Sequence, residues 1–132
     1  RPKDAGRFTE RMVDMRVIIE SPYSPGSPEN IEYARRCLFD SLLRGESPFA
    51  SHLLYTQVLD DTDSKQRYVG MTQALEWYET ADLCAVYIDR GISSGMEFGR
   101  SHAQSLGMNI EERTLKNDSQ KSVGNSFKSY WG

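Results

Sequence analysis

Ala81-Asp82-Leu83-Cys84-Ala85-Val86-Tyr87-Ile88-Asp89-Arg90-Gly91-Ile92-Ser93-Ser94-Gly95-Met96-Glu97-Phe98-Gly99 is the stretch that decides the fold. Leu83 to Ile88 is a near-continuous apolar run, as in a strand covered on both faces. Asp89 ends it. Gly91, Ser93, Ser94 and Gly95 then make a small-residue turn, and a helix opens at Gly95. The backbone N–H groups of such a turn can point at an anion, and the helix adds its positive N-terminal end. A strand feeding a small-residue turn into a helix is a common nucleotide site at the carboxyl edge of an α/β sheet. The turn is not the dinucleotide fingerprint, because Gly91, Gly95 and Gly99 are spaced by four. Nor is it a P-loop, because no Gly-Lys-Ser/Thr follows. An ordinary turn capping a helix would explain the Gly and Ser residues, but it would not require Asp89 or Glu97 beside them.

Working outward, Val17, Ile18 and Ile19 make a β-branched run, which reads as a first buried strand over 16–20. Ser21-Pro22-Tyr23-Ser24-Pro25-Gly26-Ser27-Pro28 follows, and three prolines with a glycine make it a fixed loop. Ser27 and Pro28 read as N-cap and first helical residue. Ile31, Ala34, Leu38 and Leu42 recur at helical spacing, so 28–44 reads as an amphipathic helix capped by Gly45. A short strand is expected over 48–51. The acidic stretch 59–65 reads as a solvated turn, without the spacing or closing Glu of a calcium loop. A helix over 68–80 carries Met71, Leu75 and Tyr78 on one side. Strand 82–89 and helix 95–106 come next, with Gly107 as the stop and a last strand over 108–115. Residues 1–14 lack an apolar period and read as an extension, either disordered or a short helix. Residues 117–132 read as a polar tail with Phe127, Tyr130 and Trp131 near its end.

This order predicts one α/β domain over 15–116, a Rossmann-like or flavodoxin-like parallel sheet of four to five strands flanked by helices. In such a sheet the loops after the first and third strands share an edge. Residues 21–24 are therefore expected beside residues 89–97, forming one pocket.

The totals limit the function. A length of 132 residues gives one domain. A net charge of -3 leaves no basic excess for a nucleic-acid polymer. No apolar run approaches membrane-spanning length, and no secretory pattern is read. Cys37 and Cys84 lie in apolar patterns and read as buried thiols rather than a bridge, which fits a cytoplasmic setting. His52 and His102 have no Cys or His at ligand spacing, so no metal is expected.

The first strand with Ile19-Glu20-Ser21-Pro22-Tyr23, and the third strand with Asp89 and Gly95-Met96-Glu97-Phe98-Gly99-Arg100, resemble the nucleoside 2-deoxyribosyltransferase-like superfamily. Adding Asn30-Ile31-Glu32-Tyr33-Ala34 and Ser51-His52-Leu53-Leu54-Tyr55-Thr56-Gln57, the chain looks like a small bacterial and phage branch of it over 15–115. That resemblance implies chemistry at the N-glycosidic bond of a nucleoside or nucleoside monophosphate, with a carboxylate acting at the anomeric carbon. It implies no cofactor, a small-molecule nucleoside or nucleotide as partner, and a homo-oligomer of at least two copies. Glu97 would be the nucleophile and Asp89 the sugar-orienting or acid/base partner. Ser21, Pro22, Tyr23, Ser24, His52, Gly91, Ser93, Ser94, Gly95 and Met96 would hold the ligand.

Two registers of the resemblance remain open. In one, Glu97 takes the nucleophile position; in the other, Gly99 takes it and the nucleophile is missing. The two positions differ by roughly 200° around a helix, so only one faces a given pocket. Each candidate also has a plainer reading. Glu97 can complement the helix dipole, Asp89 can cap the turn, Ser93 can cap the helix, and His52 can be a hydrogen-bonded structural residue. The alternative function is a non-catalytic module that binds a nucleotide or an NAD-derived ligand. A third reading is an interaction protein acting through its aromatic tail.

Overall fold

The computed structural model describes residues 14–24 and 27–115. Residues 1–13 of the expected extension 1–14, Pro25 and Gly26 of the loop, and the tail over 117–132 lie outside the described residues. Strand β1 (Arg16–Glu20) is followed by α1 (Pro28–Leu43), β2 (Ser47–Phe49), a single turn α2 (Ser51–Leu54) and a 3-10 turn (Tyr55–Gln57). Next come α3 (Ser64–Leu75), a second 3-10 turn (Tyr78–Thr80), β3 (Leu83–Tyr87), α4 (Ser94–Ser105) and β4 (Asn109–Arg113). The four strands form one sheet in the order β2-β1-β3-β4. Every pairing is parallel. The α/β parallel sheet expected from the sequence is the fold of the chain.

Both central strands are buried on two faces, and strand alternation sorts their side chains into two cores. Val17, Ile19, Leu83, Ala85 and Tyr87 pack with Tyr33 and Cys37 of α1. Ile18, Cys84 and Val86 pack on the other face with Tyr78 and with Met96 and Ala103 of α4. The two cysteines are free and buried, one in each core. Burial is the main cause that pushes both thiols up, Cys84 to about 12.

Local chemistry explains most boundaries. Ser27 caps α1 by accepting from the N–H of Asn30 at 3.4 Å, and Pro28 opens the helix. Gly45 leaves it with φ of 85°, a conformation glycine adopts without strain. The helix expected over 68–80 differs from what is seen. It begins at Ser64, and the chain turns again before Tyr78. Aromatic contacts account for that turn: Trp77 stacks on Phe49 at 5.1 Å and donates from Nε1 to the Tyr55 hydroxyl at 2.9 Å. The short strand starts one residue earlier than expected and ends two earlier, at Ser47–Phe49, where it pairs with residues 16–18 of β1. Among the described residues, no helix is long and apolar enough to cross a membrane.

A buried polar cluster ties the end of β4 to the segment after α1. Arg113 reaches both carboxylate oxygens of Glu46, at 2.9 and 2.7 Å, and its Nη1 also donates to the Tyr87 hydroxyl at 3.1 Å. Tyr87 in turn donates to Asp40 at 2.7 Å, and Ser41 donates to Glu46 at 2.7 Å.

Candidate functional site

A cavity of about 270 Å³ opens at the carboxyl edge of the sheet, between the ends of β1 and β3. The loop after β1 contributes Ser21, Tyr23 and Ser24; the loop after β3 and the first turn of α4 contribute Ser93, Ser94, Gly95 and Met96. His52 of α2 completes the set that the sequence reading places together. These eight candidates share one wall because parallel strands deliver both loops to one edge.

The hydroxyl of Ser21 and Nε2 of His52 are hydrogen-bonded at 2.7 Å. Tyr23 meets the His52 ring edge-on, with centroids 6.3 Å apart. Burial of the imidazole pushes His52 down to about 4, so the ring is neutral at physiological pH. Ser93 is the N-cap of α4: its hydroxyl accepts from the Met96 N–H at 3.3 Å, while its own N–H donates to the Met96 sulfur at 3.3 Å. Among the described residues, the mouth carries one cationic side chain, Arg67 of α3. It is paired with Asp61 at 3.3 Å. A Cβ placed on Gly95 would lie 4.0 Å from Arg67 Nη2, so the guanidinium stands over the N-terminal turn of α4.

Four sequence candidates lie elsewhere. Pro22 is buried and Gly91, with φ of 83°, sits in the turn; neither lines the cavity. Glu97 is exposed and outside the cavity. The reason is helical phase: Met96, Gly99 and Ala103 are the buried stripe of α4, which turns position 97 toward solvent. Asp89 lines a separate hollow with Tyr33, Arg36 and Arg90. It continues the alternation of Ala85 and Tyr87, which face α1 rather than α4. Its carboxylate accepts from the Tyr33 hydroxyl at 2.6 Å and from the Leu115 N–H at 3.0 and 3.2 Å. The expected pairing of Asp89 and Glu97 in one pocket is therefore absent.

The group on the cavity floor is one the sequence reading passed over. Glu20, the last residue of β1, is buried, and its Oε2 accepts from the hydroxyl of Tyr78. Gly99 makes this possible, since a Cβ there would sit 2.7 Å from the Glu20 carboxyl carbon and closer still to Oε2 and to the Tyr78 oxygen. Two patterns in the sequence point to the pair. Glu20 is in phase with Ile18, hence on the α4 face of β1. Gly99 is in phase with Met96 and Ala103, hence on the sheet face of α4. Tyr55, Gln66, Arg67 and Gly70 also line the cavity and were missed. Asp60 and Asp61 of the acidic stretch are engaged locally: Asp60 accepts from Thr62 and Asp61 pairs with Arg67.

Burial pushes the Glu20 carboxyl up to about 8 from a usual 4.5, against the opposing pull of the Tyr78 hydrogen bond. A raised folded value gives stability that is full below the unfolded value and is lost as pH rises through the folded one. His52 works oppositely, gaining stability as pH rises from about 4 to its usual 6.5. The two offset each other in the acid range, and above pH 6.5 Glu20 acts alone. We expect the protein to lose on the order of 2 kcal/mol between pH 6.5 and 8.5 from this group. Glu20→Gln should abolish that loss in urea denaturation at the two pH values. An equal loss in both proteins would mean the carboxyl is not raised.

The model of a protein family described as "Domain of unknown function (DUF7768)" matches residues 15–113. The chain belongs to that family. No curated protein matches the DUF7768 chain. Among solved structures, it is similar to a 2-deoxyribosyltransferase from the psychrotolerant bacterium Bacillus psychrosaccharolyticus, with a TM-score of 0.55 and 16% identity. The superposition covers 78% of the DUF7768 chain and 74% of the enzyme, and at this identity the likeness is one of fold.

Proposed function

We propose that the cavity binds a nucleoside or nucleoside monophosphate and that the protein acts at its N-glycosidic bond. The observation that carries this reading is the convergence of both loops on a cavity whose floor is a carboxyl and whose mouth holds a helix N-terminus beside Arg67. Tyr23, Tyr55 and Phe98 offer apolar faces for a base, and Ser21 with His52 offers hydrogen bonds to a sugar or base edge. The volume lies just below the usual range of ligand clefts, which starts at about 300 Å³. The fold shared with a 2-deoxyribosyltransferase, a biocatalyst for the synthesis of nucleosides, adds support.

A second reading is non-catalytic binding of a nucleotide or an NAD-derived ligand. It is favoured by the position of Glu97 and Asp89 outside the cavity. One experiment separates the two. The protein is incubated with ribo- and deoxyribonucleosides, their 5′-monophosphates and NAD. Released base is read by chromatography and binding by thermal shift. Base released from one class supports the enzyme; stabilisation without release supports the binder; neither response rejects both. Arg67→Ala is expected to weaken a monophosphate roughly tenfold and leave the parent nucleoside unchanged, as loss of one charge-assisted hydrogen bond predicts. Equal weakening of both would remove Arg67 from phosphate recognition.

A further inference from the structure

We propose that Glu20, carried into the cavity floor by β1 through the gap that Gly99 leaves in α4, is the general acid that protonates the departing base. This rests on the nucleoside reading above and assigns its reacting group. Two geometric facts carry it. Glu20 is a cavity-lining carboxyl, and Gly99 is the one place on the buried stripe of α4 with no side chain, directly over the Glu20 carboxyl. A buried carboxyl is costly for folding, and an apolar residue in phase with Ile18 would fill the same core. A carboxyl kept at the bottom of a ligand-sized cavity is what acid catalysis requires.

The orientation of the pair selects the role. Tyr78 donates to Oε2, so the proton of the neutral acid belongs on Oε1, and among the described residues no group is bonded to that oxygen. Burial keeps the group protonated at neutral pH, which suits an acid rather than a nucleophile. In the step, the Oε1 proton passes to a ring nitrogen of the base while the C1′–N bond breaks and its electron pair leaves with the base. The carboxylate so formed faces the sugar cation. Water then adds to C1′, and its proton returns to Glu20. The products are free base and free sugar, and Glu20 ends as it began. Tyr78 is a positioning residue: it holds Oε2 and leaves Oε1 for the ligand.

The test compares two leaving groups. Nucleosides need a proton to release their base, whereas a 4-nitrophenyl riboside or deoxyriboside releases its phenolate without one. Glu20→Gln keeps the volume and can still accept from Tyr78, so the variant should fold and bind. We expect it to lose base release by a factor of about 10² to 10⁴ while cleaving the 4-nitrophenyl glycoside within a few-fold of the wild-type rate. Wild-type base release from nucleosides by Glu20→Gln would overturn the proposal. Equal loss on both leaving groups would overturn it as well, since Glu20 would then serve the sugar rather than the base. Wild-type protein stabilised by nucleosides but releasing no base would reject the acid and leave the binding reading standing. No stabilisation by any nucleoside or nucleotide would reject that reading itself. Tyr78→Phe is the second variant. Removing its hydrogen bond raises the Glu20 value further, so the pH above which base release declines should move upward. An unmoved decline would overturn the assignment even if Glu20→Gln failed to fold.

Discussion

Replacing Arg113 by methionine should cost about 3–5 kcal/mol of folding stability, the usual cost of removing one partner of a buried ion pair. The side chains of Arg113 and Glu46 are only 3% and 8% exposed, and the guanidinium takes both carboxylate oxygens. Burial alone would raise the Glu46 carboxyl, but the hydrogen bonds from Arg113 and Ser41 outweigh it and hold Glu46 below its usual range. Arg113→Met leaves the apolar stem nearly intact and strands Glu46 with the Ser41 hydroxyl as its remaining donor. The Tyr87 hydroxyl loses an interaction in the same step. Urea denaturation at pH 7 measures the loss. Adding Glu46→Leu should recover much of it, because an apolar pair of similar size often matches a buried ion pair. A loss below about 1 kcal/mol would mean that the cluster is solvated rather than buried.

The backbone of this fold was legible because its strongest signals are apolar runs. Leu83 to Ile88 and Val17 to Ile19 cannot be half-exposed strands, so a sheet with helices on both faces follows. From a parallel sheet it follows that residues 21–24 lie beside residues 89–97; Ser21, Tyr23 and Ser24 share the cavity with 93–96 of that stretch, while Asp89 and Glu97 lie outside it. Less legible was the wall made by α3. Its place depends on Trp77 packing against Phe49 and Tyr55, contacts between residues 22 to 28 positions apart that no local pattern announces. Arg67 and Gln66 were lost with it. Asp89 and Glu97 lie outside the cavity for a physical reason. Both are acidic and adjoin the right turn, but residue type does not specify direction. Alternation along β3 turns Asp89 toward α1, where Tyr33 and the Leu115 N–H engage it. The helical stripe Met96, Gly99 and Ala103 turns Glu97 outward. Phase decided both, and the same phase argument would have found Glu20. A glycine between Met96 and Ala103 on a buried stripe implies a close approach by something on the strand beneath, and Glu20 is the strand residue with the wrong polarity for a core.

That close approach makes Gly99→Ala the most diagnostic substitution near the cavity. In an exposed helix the change would stabilise, since alanine is favoured over glycine by about 1 kcal/mol. Here the added methyl would lie 2.7 Å from the Glu20 carboxyl carbon, inside any permitted contact, and would also overlap the Tyr78 hydroxyl. Glu20 and Tyr78 are 9% and 4% exposed, so the room either can yield is that of the cavity both line. Either α4 lifts from the sheet or the carboxyl leaves its hydrogen bond. Overpacking of this kind costs about 1–3 kcal/mol, so the sign of the helix-propensity effect should be reversed. A double-mutant cycle isolates the cause. In a Glu20→Ala background the obstruction is gone, and Gly99→Ala should become neutral or mildly stabilising. The expected coupling is about 1–3 kcal/mol, in the range of residues in direct contact. Equal effects in both backgrounds would place the strain elsewhere in α4 and separate Gly99 from Glu20. With the coupling present, the absence of a side chain at 99 and the presence of a carboxyl at 20 are one feature. The cavity keeps its acid on the strand because the helix above has made room for it.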